Sequence, residues 1–156
     1  MWSFATDPDF QEQLDWIDYF VKHEVEPLDH LLGSQWNIHD PRFKKLVRPL
    51  QAKVRARGLW ACHLGPELGG KGYGQLKLAL MNELFGRSRF GPIVFGAQAP
   101  DTGNAEILAH YGTPEQKAKY LPRIAAGDLK AAISFTEPDG GTDVLGSLAT
   151  KAERVN

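Results

Sequence analysis

Three times in this sequence a short polar residue stands directly before a proline at the head of an apolar run: Asp7-Pro8, Asp40-Pro41 and Thr113-Pro114. The side-chain oxygen of such a residue accepts from the unpaired N–H groups of a first helical turn. Proline loses nothing in the next position, because its missing N–H would have no intrahelical partner there. Behind Asp7-Pro8, residues Phe10, Leu14, Ile17, Val21 and Val25 recur every three or four positions, which predicts one apolar stripe ending near Pro27, with Trp16 at its edge. Behind Asp40-Pro41 the stripe is Phe43, Leu46, Val47, Leu50 and Val54, and Pro49 inside it is expected to bend or interrupt the helix. Gly58 is placed to end it as a C′ residue. Thr113 and Gln116 have capping-box spacing and open a short helix lined by Ala118, Leu121 and Ile124, closed by Gly127. Between these lie a stripe of Leu76, Leu80, Leu84 and Phe85, packed with Ala79 and Met81, and a second of Ile107, Leu108 and Tyr111. The predicted fold is mostly α, with four to six helices packed as a bundle over residues 1–127.

A chain of 156 residues is long enough to bury a real core. Its net charge of −1 gives no long-range field for nucleic acid or an anionic membrane. Seven cations cluster around the second stripe, from Arg42 to Arg57, but no aromatic platform accompanies them, so they read as a solvated face. No run approaches the roughly eighteen apolar residues of a membrane-spanning helix. Met1 to Phe4 soon give way to acidic residues, the pattern of neither a signal nor an Arg-rich transit peptide. The single Cys62 excludes an internal disulfide framework, fits a reducing cytoplasm, and reads as a buried structural thiol. The histidines, His23, His30, His39, His63 and His110, are scattered without ligand spacing, so no metal is expected and surface or capping roles suit them better.

The pattern changes after Gly127. Leu129, Ala131, Ile133 and Phe135 alternate, which argues a half-buried strand, and the run stops at Thr136-Glu137-Pro138-Asp139-Gly140-Gly141-Thr142-Asp143. Pro138 cannot continue a ladder, and Gly140-Gly141 lets the backbone come close to a ligand. Such a loop, rich in N–H groups and hydroxyls, can meet an anion or a polar ring edge. Thr150 to Val155 alternates again and looks like the start of a second strand. One or two strands do not form a stable unit, so residues 128–156 are expected to be the beginning of an incomplete β-domain.

The stretch T-E-P-D-G-G-T-D after an apolar run resembles the flavin loop of the acyl-CoA dehydrogenase family. Gly58-Leu59-Trp60 with Pro66-Glu67-Leu68-Gly69-Gly70-Lys71-Gly72 is similar to a second family segment, and Tyr111-Gly112-Thr113-Pro114-Glu115-Gln116-Lys117 with Tyr120-Leu121-Pro122 to a third. These motifs stand in family order and cover nearly the whole chain. On context, the glycine-rich segment Leu64 to Gly74 is neither a dinucleotide fingerprint nor a P-loop, since no strand precedes it and the Lys-Ser/Thr pair is missing. It reads as a rigid turn between helices.

The resemblance implies the N-terminal helical domain and the first strand or strands of the middle β-domain of an FAD-dependent enzyme. Such an enzyme removes the α-proton of an acyl-CoA thioester with a carboxylate and passes the β-hydrogen as hydride to the flavin. Electrons then go to an electron-transferring flavoprotein, and the full-length protein is expected to be a homo-oligomer acting in fatty acid metabolism. Phe135 and Thr136 match positions that meet the flavin pyrimidine, and Gly141 and Thr142 match positions beside the pyrophosphate. Thr142 also matches a position beside the CoA-bearing substrate. Gln98 and Thr102 fall where the family lines the acyl pocket, although packing or helix capping would account for either equally well. Thr142 stands where many members have Ser, and Asp139-Gly140 where many have Gly-Ala. Asp139 is therefore expected to point to solvent or make a cap. Glu137 is expected to accept hydrogen bonds from loop N–H groups; the family's catalytic base lies beyond residue 156, so no catalytic residue is assigned here and the chain alone is expected to be inactive. Two other readings stay open: an acyl-CoA oxidase or flavin monooxygenase on the same scaffold, and a stand-alone helical interaction module without flavin chemistry.

Overall fold

The computed structural model describes residues 5–37, 39–68 and 70–155. Gly69 of the glycine-rich segment and Met1 to Phe4 lie outside the described residues. Helix α1 (Pro8–Phe20) begins as its sequence requires, with the Asp7 carboxylate accepting from Phe10 N at 2.9 Å. It runs without a break into a π turn, Val21–Val25, and the chain re-enters a short helix α2 (Leu28–Leu31) just past Pro27. Every residue of the first expected stripe is buried, with Phe20 added.

Helix α3 (Pro41–Ala56) is capped by Asp40 Oδ1, which accepts from Arg42 N at 2.8 Å. Phe43, Val47, Leu50 and Val54 are buried, while Leu46 is half-buried. Of the two outcomes expected of Pro49, interruption does not occur: the helix runs through it. It lies on the exposed side, so the carbonyl it leaves unpaired one turn back can be hydrated. Gly58 sits at φ 71° just past the α3 C-cap, the left-handed conformation expected of a C′ residue. The turn after Leu64 is tight because Gly70 has no room for a side chain: a Cβ there would collide with the Leu64 carbonyl oxygen.

Helices α4 (Gly74–Phe85) and α5 (Gly91–Phe95) close the core. In α4 the buried positions are Met81 and Phe85, with Leu78, Leu80 and Leu84 partly covered, while Leu76 is 77% exposed and Ala79 is exposed too. The expected stripe thus holds only in part. Apolar residues lie all round this helix, so periodicity could not select the inward face. In α5, Ile93, Val94 and Phe95 are all buried, and the ring of Phe95 stacks on Phe85 at 4.0 Å and meets Phe20 edge-on at 5.9 Å.

Helices α6 (Asp101–Tyr111) and α7 (Pro114–Ala125) form a hairpin on one side of this core. Both reciprocal hydrogen bonds of the Thr113–Gln116 capping box are present. The hairpin is less covered than its sequence suggests. Ala105 is the buried residue of α6, whereas Ile107 and Tyr111 are 57% and 85% exposed, and no described residue of α7 is fully buried.

Past Gly127 the expected strands do not form. Residues 130–136 form no ladder, and among the described residues the one β-type pairing is a single bridge between Glu137 and Gly140. Residues 148–155 are irregular rather than a second strand. A strand needs a neighbour to accept its N–H and C=O groups, and none of the described residues supplies one. Instead a short helix α8 (Val144–Ser147), not anticipated from the sequence, follows the loop, with Asp143 capping it through Gly146 N at 3.0 Å.

Candidate functional site

The loop from Phe135 to Thr142 is built around Glu137. Its backbone N–H donates to Gly140 O at 3.0 Å, and Gly140 N donates back at 3.3 Å, which folds Pro138 and Asp139 into a tight tip. Its carboxylate reaches in the other direction and accepts from Ala149 N and Thr150 N, both at 2.8 Å. The Thr150 side chain first, and then these backbone bonds from Ala149 and Thr150, hold the Glu137 carboxyl below the usual range. A general base is tuned upward by a dry environment, and Glu137, with its oxygens engaged by N–H donors, is tuned the other way. Asp139 is exposed at the tip.

The opposite side of the loop is held by α8. A Cβ on Gly140 would come within 2.7 Å of Ser147 Oγ, so a larger residue there would displace the Ser147 side chain of α8. Gly141 has room for a side chain, its Cβ position lying in ordinary contact with the Thr136 methyl at 3.8 Å. Phe135, Thr136, Gly141 and Thr142 are all exposed, and their N–H groups and hydroxyls make no hydrogen bond to a described residue. The structure thus divides the loop into parts that hold it together, Glu137, Gly140 and Asp143, and parts that present unengaged donors. Those donors can meet carbonyl oxygens and ring nitrogens at the pyrimidine edge of a flavin, or the oxygens of a diphosphate.

Gln98 lies elsewhere. It lines a cavity of about 470 Å³ walled by Trp36, Phe43, Trp60 and Ile93 and bordered by Lys44 and Arg48. Its Oε1 is buried without a partner. Thr102 does not line this cavity, although its N–H donates to Gln98 O at 3.1 Å. The two expected acyl-pocket residues are therefore joined through the backbone while only one faces the cavity.

Sequence reasoning gave Trp60 no role beyond its motif. Its indole N–H donates to Ala125 O at 2.7 Å, and the Arg55 guanidinium stacks 3.5 Å above its ring while donating to Ala126 O at 2.6 Å. This pair ties the end of α3 to the end of α7, a contact between distant segments that no local pattern announces. Others of the seven cations from Arg42 to Arg57 make surface ion pairs, Lys53 with Glu24 and Arg57 with Glu12, as a solvated face would. Cys62 is buried and its thiol is pushed up to about 12 by desolvation, so it is inert at neutral pH. His63 is more enclosed than a surface histidine; burial lowers its pKa and its Nδ1 has no partner.

Comparison with known proteins agrees with this architecture. The profile of the acyl-CoA dehydrogenase N-terminal domain matches residues 7–128. Acyl-CoA dehydrogenase family member 11 of Gallus gallus is 34% identical over 149 residues, covering 92% of this chain and 19% of that protein. Acyl-CoA dehydrogenase family member 10 of Mus musculus is 34% identical over 125 residues, covering 76% of this chain and 12% of its own length. A solved structure from Mycobacterium abscessus, named as an acyl-CoA dehydrogenase, superposes with a TM-score of 0.74 at 36% identity, covering 90% of this chain and 37% of that one. The chain thus spans a fraction of the length of the proteins it matches. With the helical bundle, the capped α7 hairpin and the loop in place, the chain belongs to the acyl-CoA dehydrogenase family and carries its N-terminal domain.

Proposed function

We propose that these residues are the N-terminal part of an FAD-dependent enzyme that dehydrogenates an acyl-CoA thioester between its α and β carbons. The observation that carries this reading is the loop in which Phe135, Thr136, Gly141 and Thr142 expose unengaged donors while Glu137 is engaged internally. Phe135 and Thr136 would meet the flavin pyrimidine, and Gly141 and Thr142 the pyrophosphate, with Thr142 also beside the CoA-bearing substrate. The flavin, when bound, supplies the acceptor for hydride. The donors of this chain stabilise negative charge that develops at the pyrimidine edge, which is how a protein tunes a bound cofactor. Gln98 and Thr102 are proposed to belong to the acyl pocket, with the unpartnered carboxamide of Gln98 the better placed of the two to face a ligand.

Residues 1–127 are proposed to act as the helical domain and 128–156 as the start of the β-domain. The catalytic base is assigned outside these residues, since Glu137 is held ionised and is spent on Ala149 and Thr150. An electron-transferring flavoprotein as acceptor, a homo-oligomeric full-length protein and a cytoplasmic setting complete the proposal. The test is anaerobic. The full-length gene product, purified with FAD, is mixed with a saturated acyl-CoA and the flavin absorbance is followed. Bleaching is expected, and a full-length protein that holds no flavin would sink the reading. Reoxidation on admitting air, with stoichiometric peroxide, would instead assign an oxidase.

A further inference from the structure

The run that delivers Phe135 and Thr136 has no strand beside it among the described residues, yet it follows a defined path. Side chains of α6 hold the start of this run. Asp101 Oδ1 accepts from Ala131 N at 2.8 Å and its Oδ2 from Lys130 Nζ at 2.6 Å. One turn further along α6, Asn104 Nδ2 donates to Ala132 O at 3.3 Å. The Asp101 side chain is only 15% exposed, so water competes little for its oxygens, whereas the lysine that pairs with it is 49% exposed. An exposed lysine–carboxylate pair contributes little by itself. A backbone N–H given to a carboxylate is a charge-assisted bond, and it fixes the chain rather than a mobile side-chain end. The far end of the same run is fixed independently, by the two N–H groups that Glu137 accepts. Residues 132–136 are thus suspended between two carboxylates, one on the bundle and one in the loop.

We propose that Asp101 is a positioning residue for the donor edge of the loop: by holding Ala131 on α6 it sets where Thr136 is presented to the flavin. This rests on the flavin reading above. Asp101 lines the same cavity as Gln98, but both of its oxygens are already engaged, by Ala131 N and Lys130 Nζ. Its effect is to restrict residues 132–136 before a ligand arrives, so that less conformational freedom is lost on binding.

The test uses the full-length protein and its variants Asp101→Ala, Asp101→Asn and Lys130→Met. Amide exchange at Ala131, nitrogen-15 order parameters across 131–136, and FAD titration by fluorescence quenching are measured for each. In Asp101→Ala, Ala131 is expected to exchange roughly tenfold faster, as the loss of one charge-assisted bond predicts. Order parameters over 132–136 should fall toward the flexible range, below about 0.6, and the FAD dissociation constant should rise several-fold. Asp101→Asn keeps an acceptor for Ala131 N and should recover most of the order and affinity. Lys130→Met should leave Ala131 protected, and amides of Val47 and Val94 in the core should hold in all variants. Unchanged order parameters in Asp101→Ala would overturn the tether, as would an Asn variant no better than Ala. A segment that loosens while FAD affinity stays the same would overturn its bearing on the flavin. If the full-length parent holds no FAD at any concentration while the segment responds as described, the flavin reading itself falls and the role assigned to Asp101 falls with it, a result distinct from failure of the tether.

Discussion

Thr136 and Glu137 are adjacent, and the structure gives them opposite surroundings. The Thr136 hydroxyl is exposed and unengaged, while the Glu137 carboxylate is closed onto Ala149 and Thr150. In the full-length protein, Thr136→Val keeps the side-chain shape and removes the hydroxyl. Flavin binding is expected to weaken, or the reduction potential to shift, by about 1–3 kcal/mol. Flavin titration and spectroelectrochemistry would check this, and unchanged values would reduce Thr136 to a turn residue. For Glu137 the folded-state pKa lies below the unfolded one, so its contribution to loop order is fully present above the unfolded carboxyl range. That contribution is lost as pH falls through the depressed folded value. The amide signals of Ala149 and Thr150 should move together in an acid titration, with a midpoint below that of an ordinary glutamate, and should move no further in Glu137→Gln.

At the scale of helices, capping and packing make separable contributions. Thr113→Ala removes the acceptor of the α7 capping box, leaving Gln116 N unpaired, and is expected to cost about 0.5–2 kcal/mol. Hydrogen exchange should report this as fraying of the first turn of α7. Within α4, Met81→Ala opens a cavity among buried neighbours and should cost about 2–5 kcal/mol. Leu76→Ala, at an exposed position, should stay within about 0.5 kcal/mol. Equal losses at the two sites in chemical denaturation would contradict the inward face seen here. Where apolar residues repeat on one side only, as in α1, the buried stripe is legible in the sequence. In α4 and α6 it is not, because burial of Leu76, Ile107 or Tyr111 depends on whether another element covers that side.

Taken as a whole, the chain has a closed core on one side and an open hairpin and loop on the other. Phe10, Phe20, Phe85, Phe90 and Phe95 are buried together in the core cluster, while Ile133, Phe135, Leu145, Leu148 and Val155 remain exposed beyond Gly127. The proposal predicts that residues 1–156, given FAD and a saturated acyl-CoA without oxygen, bleach no flavin, since a general base contributes about 10²–10⁴-fold to proton abstraction. Bleaching that vanishes in Glu137→Gln would place the base in this chain after all.

The sequence by itself determined the helical bundle, the three cap-and-proline helix starts, the glycine turn and the loop motif. Each of these is a local matter: a capping oxygen, a missing N–H, a period of 3.6 residues or a residue without Cβ acts within a few positions of itself. Only the tertiary structure decided that Pro49 leaves α3 unbroken, that residues 130–136 rest on Asp101 and Asn104 instead of a strand, and that Trp60 and Arg55 bind the end of α7. These outcomes turn on which surfaces meet water and which meet a segment some thirty to seventy positions away, and no local period carries that information.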